Sequence, residues 1–335
     1  MSGLGAERSD GLVDSFGRRI TYARLSVTDR CDLRCRYCMA ERMQFLPKRE
    51  ILTFEEMTSL ADVLIARGVR KIRLTGGEPL VRKGVMELIR SLGQRIGAGL
   101  DELVLTTNGT RLERFAGQLV DAGIRRINVS LDSRRPERFA HITRGGDLSH
   151  VLRGIDAALT AGLAVKINVV ALAGINEDEI DDMLRWCAAM AIDLTLIETM
   201  PLGEVEEDRT DHYLPLDVVK RRLEQQFTLV PSTRRTGGPA RYFDIPELQS
   251  QLGMITPLTN NFCDGCNRIR VAATGTVYGC LGHDQKVELR DALRSGGPEA
   301  VDALLDRLLA GKPRRHDFHI GGEPAVTRHM SVTGG

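Results

Sequence analysis

Along the first two thirds of the chain, short apolar runs of period two alternate with longer stretches of period 3.6. The runs predict strands near 21–28 (TYARLSVT), 71–75 (KIRLT), 102–107 (ELVLTT), 126–132 (RINVSLD), 164–171 (AVKINVVA) and 193–200 (DLTLIETM). Helical patterns lie between them. The clearest, TFEEMTSLADVLIARG, opens on Thr53 and Glu56 at capping-box spacing and stops at Gly68. Three helix-to-strand joints, ARGVRKIRL, DAGIRRINV and TAGLAVKINV, each put a glycine (Gly68, Gly123, Gly162) where a left-handed residue would end the helix. Strands alternating with helices imply βαβ units and a parallel sheet. Six such strands predict an α/β fold, an incomplete (β/α)6 TIM-type barrel, with a doubly wound open sheet as the alternative.

The grammar changes after Met200. PLGEVEEDRTDHYLP, residues 201–215, is acidic and turn-rich and reads as a linker. Helices are predicted near 215–226, 286–294 and 298–310. Residues 1–212 would then form the barrel, and residues 213–335 a smaller C-terminal α+β domain.

At 335 residues and 42% hydrophobic content the chain can bury a large core. A net charge of +1 with 4% aromatic residues argues against a nucleic-acid partner, so any basic site must be local. No run of eighteen apolar residues suggests a membrane span, and the polar start MSGLGAERSDGLVDSFGRR lacks a signal peptide's apolar core. The expected compartment is a reducing cytoplasm, where clustered cysteines mean metal or redox chemistry rather than disulfides.

Six of the seven cysteines fall into two trios: Cys31, Cys35 and Cys38 as C-x3-C-x2-C, and Cys263, Cys266 and Cys280 as C-x2-C-x13-C. Cys187, in the helical stretch MLRWCAAM, reads as an inert buried thiol. Structural zinc closes its tetrahedron with four ligands, and a [4Fe-4S] cluster normally takes four cysteines. A trio therefore leaves one iron open to a small molecule, and two trios suggest two [4Fe-4S] clusters. A zinc-stabilised binding module is the rival from another class.

Strand interiors carry cations. Lys71 and Arg73 alternate on one face of the second strand, Arg24 and Lys166 lie within the first and fifth, and Arg268 and Arg270 alternate after Cys266. Several cations aimed into a barrel are costly to bury without an anion. No G-x4-G-K-[ST] loop is present, so a polyphosphate would be held by side chains. KPRRH, residues 312–316, reads as a solvated basic loop.

The first trio's spacing, with TGGEP (Thr75 to Pro79) after the second strand, resembles the radical S-adenosylmethionine (SAM) superfamily. The chain as a whole resembles the GTP 3′,8-cyclase family of molybdenum cofactor biosynthesis. The segments that carry this are LSVTDRCDLRCRYCM, FLPKREILTFEEM, KIRLTGGEPLVR, LTTNGT, RRINVSLD, KINVV, FCDGCNRIRVAATGTVYGC and the terminal TGG. The resemblance implies that Cys31, Cys35 and Cys38 hold the cluster that binds SAM, and that Tyr37, Gly77, Ser130 and Met200 contact SAM. It implies that Cys263, Cys266 and Cys280 hold an auxiliary cluster whose open iron takes the guanine base. GTP would be held by Arg24, Lys71, Arg73, Thr106, Lys166 and Arg268, Ile269, Arg270, with Arg268, Arg270, Gly334 and Gly335 needed for turnover. An external low-potential electron donor and a homodimer are also implied. Relatives often read RFIE where this chain reads TLIE, so Thr195 leaves one triphosphate contact in doubt. A peptide-modifying radical SAM enzyme would share the first trio and GGEP, but would not need NRIR, the strand cations or the terminal glycines.

Overall fold

The computed structural model describes residues 11–203, 210–321 and 324–334. Six parallel strands form its centre: β1 (Tyr22–Ser26), β2 (Lys71–Thr75), β3 (Glu102–Thr107), β4 (Arg126–Ser130), β5 (Ala164–Ala171) and β6 (Asp193–Glu198), paired in that order. Between them run α1 (Phe54–Ala66), α2 (Val85–Gly93), α3 (Leu112–Asp121), α4 (Pro136–Thr143), α5 (Leu148–Thr160) and α6 (Ile180–Ala189). The helices lay their apolar faces on the outer face of the sheet, through residues such as Met57, Leu60 and Leu64 of α1. The capping box at α1 is formed: Thr53 Oγ1 accepts from Glu56 N at 3.2 Å, and Thr53 N donates to Glu56 Oε2 at 2.8 Å. Gly68, Gly123 and Gly162 all take positive φ (93°, 88° and 87°), which turns each helix into the next strand.

The rest of the chain builds outward from both edges of this sheet. After α7 (Leu216–Leu223) come β7 (Val230–Pro231), β8 (Arg241–Ile245) and β9 (Ser250–Ile255), and β9 pairs parallel with β6. β10 (Arg268–Val271), β11 (Thr276–Tyr278) and β12 (Lys286–Glu288) follow, and β10 pairs parallel with β1. The result is one twelve-stranded sheet in the order β12-β11-β10-β1-β2-β3-β4-β5-β6-β9-β8-β7. Side chains from β1 to β6 and from β8, β9 and β10 line one common cavity, so the sheet curves around it and stays open between its edges.

The helix predicted near 286–294 is a correction. Residues 286–288 are β12, followed by a π-helical turn at Ala292–Gly296 and then α8 (Gly297–Ala310). Lys286, Val287, Glu288 and Leu289 alternate out and in, with Val287 and Leu289 buried, and Thr276 Oγ1 donates to Glu288 Oε2 at 2.6 Å across the ladder. Period two wins over helix propensity there. Of the predicted linker, 204–209 lies outside the described residues. The flanks are pinned by bridges between Leu202 and Val326 and between Leu172 and Tyr213. Cys187 is fully buried in α6, as expected of an inert thiol.

Thr53→Ala removes one capping acceptor and should cost about 1 kcal/mol of stability, with Thr53→Ser keeping most of it. Chemical denaturation of the metal-free chain measures the difference, and equal midpoints for all three forms would contradict the capping argument.

Candidate functional site

Two adjoining cavities lie along the axis of the curved sheet. The first, of ≈ 940 Å³, sits at the C-terminal ends of the strands, where β/α-barrel loops converge. The second, of ≈ 1160 Å³, occupies the interior beside the N-terminal halves of the strands. Thr106, Asn168, Ile197 and Met200 line both.

The loop after β1 brings Cys31, Cys35 and Cys38 to the first cavity, together with Tyr37, Gly77, Ser130 and Met200. Backbone bonds to α4 fix this loop: Arg34 N donates to Thr143 O and Arg36 N to Ile142 O. Tyr37 donates its hydroxyl to the buried Asp132 at 2.7 Å, and Asp132 also accepts from Val170 N. Burial lifts the Asp132 carboxyl to about 6 against these two donors. The glycines of TGGEP are required from behind. A Cβ on Gly76 would stand 2.6 Å from Thr28 O, and one on Gly77 2.4 Å from Arg30 O. Glu78, buried, accepts from Leu80 N, Thr107 Oγ1 and Asn108 N, and so ties the end of β2 to the end of β3.

These residues fit an iron–sulfur cluster. All seven cysteines are free. Burial, and then the neighbouring Cys38, Asp132 and Cys31, push the Cys35 thiol well up; burial also lifts Cys31 to about 12. Three such thiols facing one cavity need a positively charged body among them to become thiolates together. Among the described residues no group of three or more His, Cys, Asp and Glu could hold a single metal ion. A four-iron cluster is wider, and its ligands stand further apart.

The second cavity is set by strand register. Arg268, Tyr22 and Lys71 form one row across β10, β1 and β2, and Arg270, Arg24 and Arg73 form the next. Arg126 and Lys166 join from β4 and β5, so among the described residues seven Lys and Arg line the cavity with no Asp or Glu. Arg73 Nε donates to Tyr22 Oη at 2.5 Å and its NH1 to Thr106 Oγ1 at 3.0 Å. Lys71 donates to Thr236 O at 2.9 Å and pairs with Glu102 at 2.8 Å, while Lys166 donates to the Tyr242 hydroxyl. Arg24 Nε and NH2 are buried with no partner. Burial lowers Arg24 to about 10 and holds Arg270 well below its ordinary value, with Arg24 and Arg268 adding to the effect on Arg270. Burial alone would raise the Tyr22 phenol; Arg73, Arg24 and Lys71 outweigh it and bring Tyr22 to about 7. Such a basket, short of anions, suits a polyphosphate.

At the far wall stand Cys263, Cys266 and Cys280 with Phe262 and His316. Burial raises Cys263 and Cys280; Cys266 is also buried, yet Arg268 and Lys312 bring it down to about 7. The side chain of Ile269, between the two arginines, turns into the core, so only its backbone is available to a ligand. Thr195 lines the cavity with its hydroxyl unpaired, facing Gly253 of β9. The C-terminal tail closes the junction of the two cavities. Met330 and Ser331 of α9 (Met330–Thr333) line the first, and Gly334 O accepts from Arg270 NH1 at 2.5 Å. Gly334 has φ 68°, and a Cβ there would lie 2.0 Å from Thr75 Oγ1, so only glycine fits. Gly335 lies outside the described residues.

Sequence reasoning missed several lining residues. Arg126 and Asn128 alternate with Ser130, Tyr22 with Arg24, and Asn168 with Lys166, so period two marks each as facing inward. Tyr242 had no such marker. The KPRRH reading is corrected: Lys312 is only 3% exposed and donates to Gly279 O, and His316 lines the second cavity.

Such a barrel, with a cysteine trio at its strand ends, defines the radical SAM class, and residues 25–187 match the Radical SAM superfamily. Residues 192–318 match Molybdenum Cofactor Synthesis C. The fold is also that of Streptococcus suis SuiB bound to S-adenosylmethionine, at TM-score 0.61 and 13% identity, covering 93% of this chain and 77% of that one. The GTP 3′,8-cyclase of Rhizobium meliloti (strain 1021) is 60% identical, over 97% of this chain and 94% of its own length. That of Erythrobacter litoralis (strain HTCC2594) is 57% identical, over 97% and 98%. The chain belongs to the GTP 3′,8-cyclase family.

Two outcomes follow from the cation basket. Arg24→Met should stabilise the ligand-free chain by about 1 kcal/mol or more, because it removes a buried charge whose Nε and NH2 make no hydrogen bond, and should weaken the thermal shift given by inorganic triphosphate. A destabilised variant with an undiminished shift would count against the basket. The Tyr22 contribution has a definite sign: its folded value of about 7 lies below the unfolded one, so its stabilisation grows above pH 7 and is lost as pH falls through it. The stability gap between Tyr22→Phe and the parent should therefore widen from about pH 6 to about pH 9 in thermal melts.

Proposed function

We propose that this chain converts GTP to (8S)-3′,8-cyclo-7,8-dihydroguanosine 5′-triphosphate, the first step of molybdenum cofactor biosynthesis, as a lyase of the radical SAM type. The observation that carries this reading is the pair of adjoining cavities, with a thiol trio in each and a cation basket in one. Cys31, Cys35 and Cys38 would hold the first [4Fe-4S] cluster. Tyr37, Gly77, Ser130 and Met200 share its cavity and are the proposed SAM contacts. When bound, the cluster and SAM supply the 5′-deoxyadenosyl radical that abstracts the ribose 3′-hydrogen and leads to the C3′–C8 bond. Cys263, Cys266 and Cys280 would hold a second cluster that takes the guanine base.

The protein's own part is position and shielding. Arg24, Lys71, Arg73, Lys166, Arg268 and Arg270 grip the triphosphate with charge-assisted bonds, and Arg126 joins them. With the base held at the trio wall and the phosphates in the basket, the ribose sits between two fixed ends, near Thr106, Asn168 and Met200, which border both cavities. Arg270, bonded to Gly334 O, links that grip to the tail. We divide the chain at residues 212 and 213 into the SAM barrel and the auxiliary-cluster domain, and include an external low-potential electron donor and a homodimer in the reading. Among the described residues no helix is long and apolar enough to cross a membrane.

Anaerobic reconstitution should give about eight irons per chain. Replacing Cys263, Cys266 and Cys280 by alanine should halve the iron and abolish GTP cyclisation while the first cluster still forms. Deleting Gly334 and Gly335 should abolish GTP turnover with both clusters in place. Stoichiometric zinc, or full turnover by the truncated chain, would refute the corresponding part.

A further inference from the structure

The segment that follows α8 wraps the back of the second cysteine trio. Arg18, held by Asp14 at 2.6 Å, donates to Cys263 O, Arg314 O and Pro313 O at 2.7–2.8 Å. Ser15 Oγ donates to Ala310 O at 2.8 Å, and His283 Nε2 meets Arg315 O at 2.8 Å. The segment is thus strapped to the trio from two directions. Lys312 enters at its start, with its side chain laid along Gly279, whose missing Cβ would stand 3.4 Å from Lys312 Cβ and Cγ. Its ammonium donates to Gly279 O, the residue before Cys280, and to Cys266 Sγ at 3.6 Å. It does not line the cavity that would take the substrate. A lysine 3% exposed, held between a carbonyl and a cysteine sulfur, places a fixed donor at that sulfur from the protein side.

We propose that Lys312 is a positioning residue for the second trio, orienting Cys266 and Gly279 and raising the reduction potential of the cluster they hold. This rests on the two-cluster reading above. A fixed cation and a donor hydrogen bond at a ligand sulfur stabilise the state with one more electron, and that electron comes from the external donor already required. Arg268 also faces Cys266, but from the cavity side, where bound substrate would engage it. Lys312 acts from the protein side, whether or not substrate is present.

The test uses the full chain with Cys31, Cys35 and Cys38 replaced by alanine, so that the second trio alone binds iron. Reconstituted anaerobically and checked for iron and sulfide, it is poised with redox dyes and followed by electron paramagnetic resonance. Lys312→Met keeps length and removes charge and donor; Lys312→Arg keeps both. Lys312→Met should lower the reduced-to-oxidised ratio at a fixed poise about tenfold, about 59 mV for a one-electron couple, and Lys312→Arg should recover most of it. A fully loaded Lys312→Met with the parent's ratio overturns the proposal. So does loss of iron in both variants, which would make Lys312 a packing residue. If the parent itself binds no cluster, the two-cluster reading fails first and the role of Lys312 goes with it.

Discussion

The parallel pairing of β10 with β1 is the interaction on which the rest of the site depends. It sets Arg268 beside Tyr22 and Arg270 beside Arg24, and β2 extends both rows with Lys71 and Arg73. The same pairing carries Cys263 and Cys266, just ahead of β10, to the wall of the interior cavity. Asn267 locks the entry: its carbonyl accepts from Tyr22 N at 3.2 Å, and its side chain donates to Thr21 Oγ1 at 3.0 Å. A slip of one residue in β10 would turn Arg268 and Arg270 into the core and bring Ile269 into the cavity. The register therefore fixes fold and chemistry together.

A closed eight-stranded barrel fills its interior with stacked side chains. Here six parallel strands leave the interior open, and the C-terminal strands extend its walls from both sides without closing it. The price is a set of like charges on neighbouring strands. Glu102 relieves part of it by pairing with Lys71 and Arg126, and two strong donors to its carboxylate, against the effect of burial, hold it down at about 2. Tyr22 and Tyr242 relieve more, each with its hydroxyl against a cation. Arg24 draws on the same Tyr22 phenol, while its Nε and NH2 make no hydrogen bond. The ligand-free protein thus carries like charges close together in its interior, which is what the proposed triphosphate would neutralise.

How much of this was legible in the sequence follows from the range of each interaction. The six central strands and their glycine stops are local patterns, and all six were read within two residues of their observed ends. The inward cations of β1, β2, β5 and β10 were legible because strand period two is rigid. What was lost is long-range. No local signal says that β9 joins β6 or that β10 joins β1, more than fifty and more than two hundred residues away in sequence. KPRRH misled because composition reports charge and not burial: its lysine is sealed under the second trio while Arg314 and Arg315 stay exposed. Thr195 remains a departure from the frequent arginine of relatives. β9 explains why a small residue is tolerated there, since Gly253 packs its backbone so close that a Cβ would stand 2.6 Å from Thr195 Oγ1.

The tail shows how the two cavities are made one site. Arg328 donates to Cys280 O and Leu281 O and pairs with Asp284 at 2.6 Å, which fastens the approach to α9 onto the loop of the second trio. Two residues on, Met330 and Ser331 reach the cavity of the first trio, and Gly334 O returns to Arg270 in the basket. Nine residues, 326 to 334, therefore touch the surroundings of both trios and Arg270 of the cation basket. Any movement of Arg270 toward a bound triphosphate must break or carry with it the bond to Gly334, and Thr75 leaves no room for a side chain to take up the slack. Glycine is required at that position because the tail is a strut between Arg270 and the end of β2, and a strut this close-packed has no space for a Cβ.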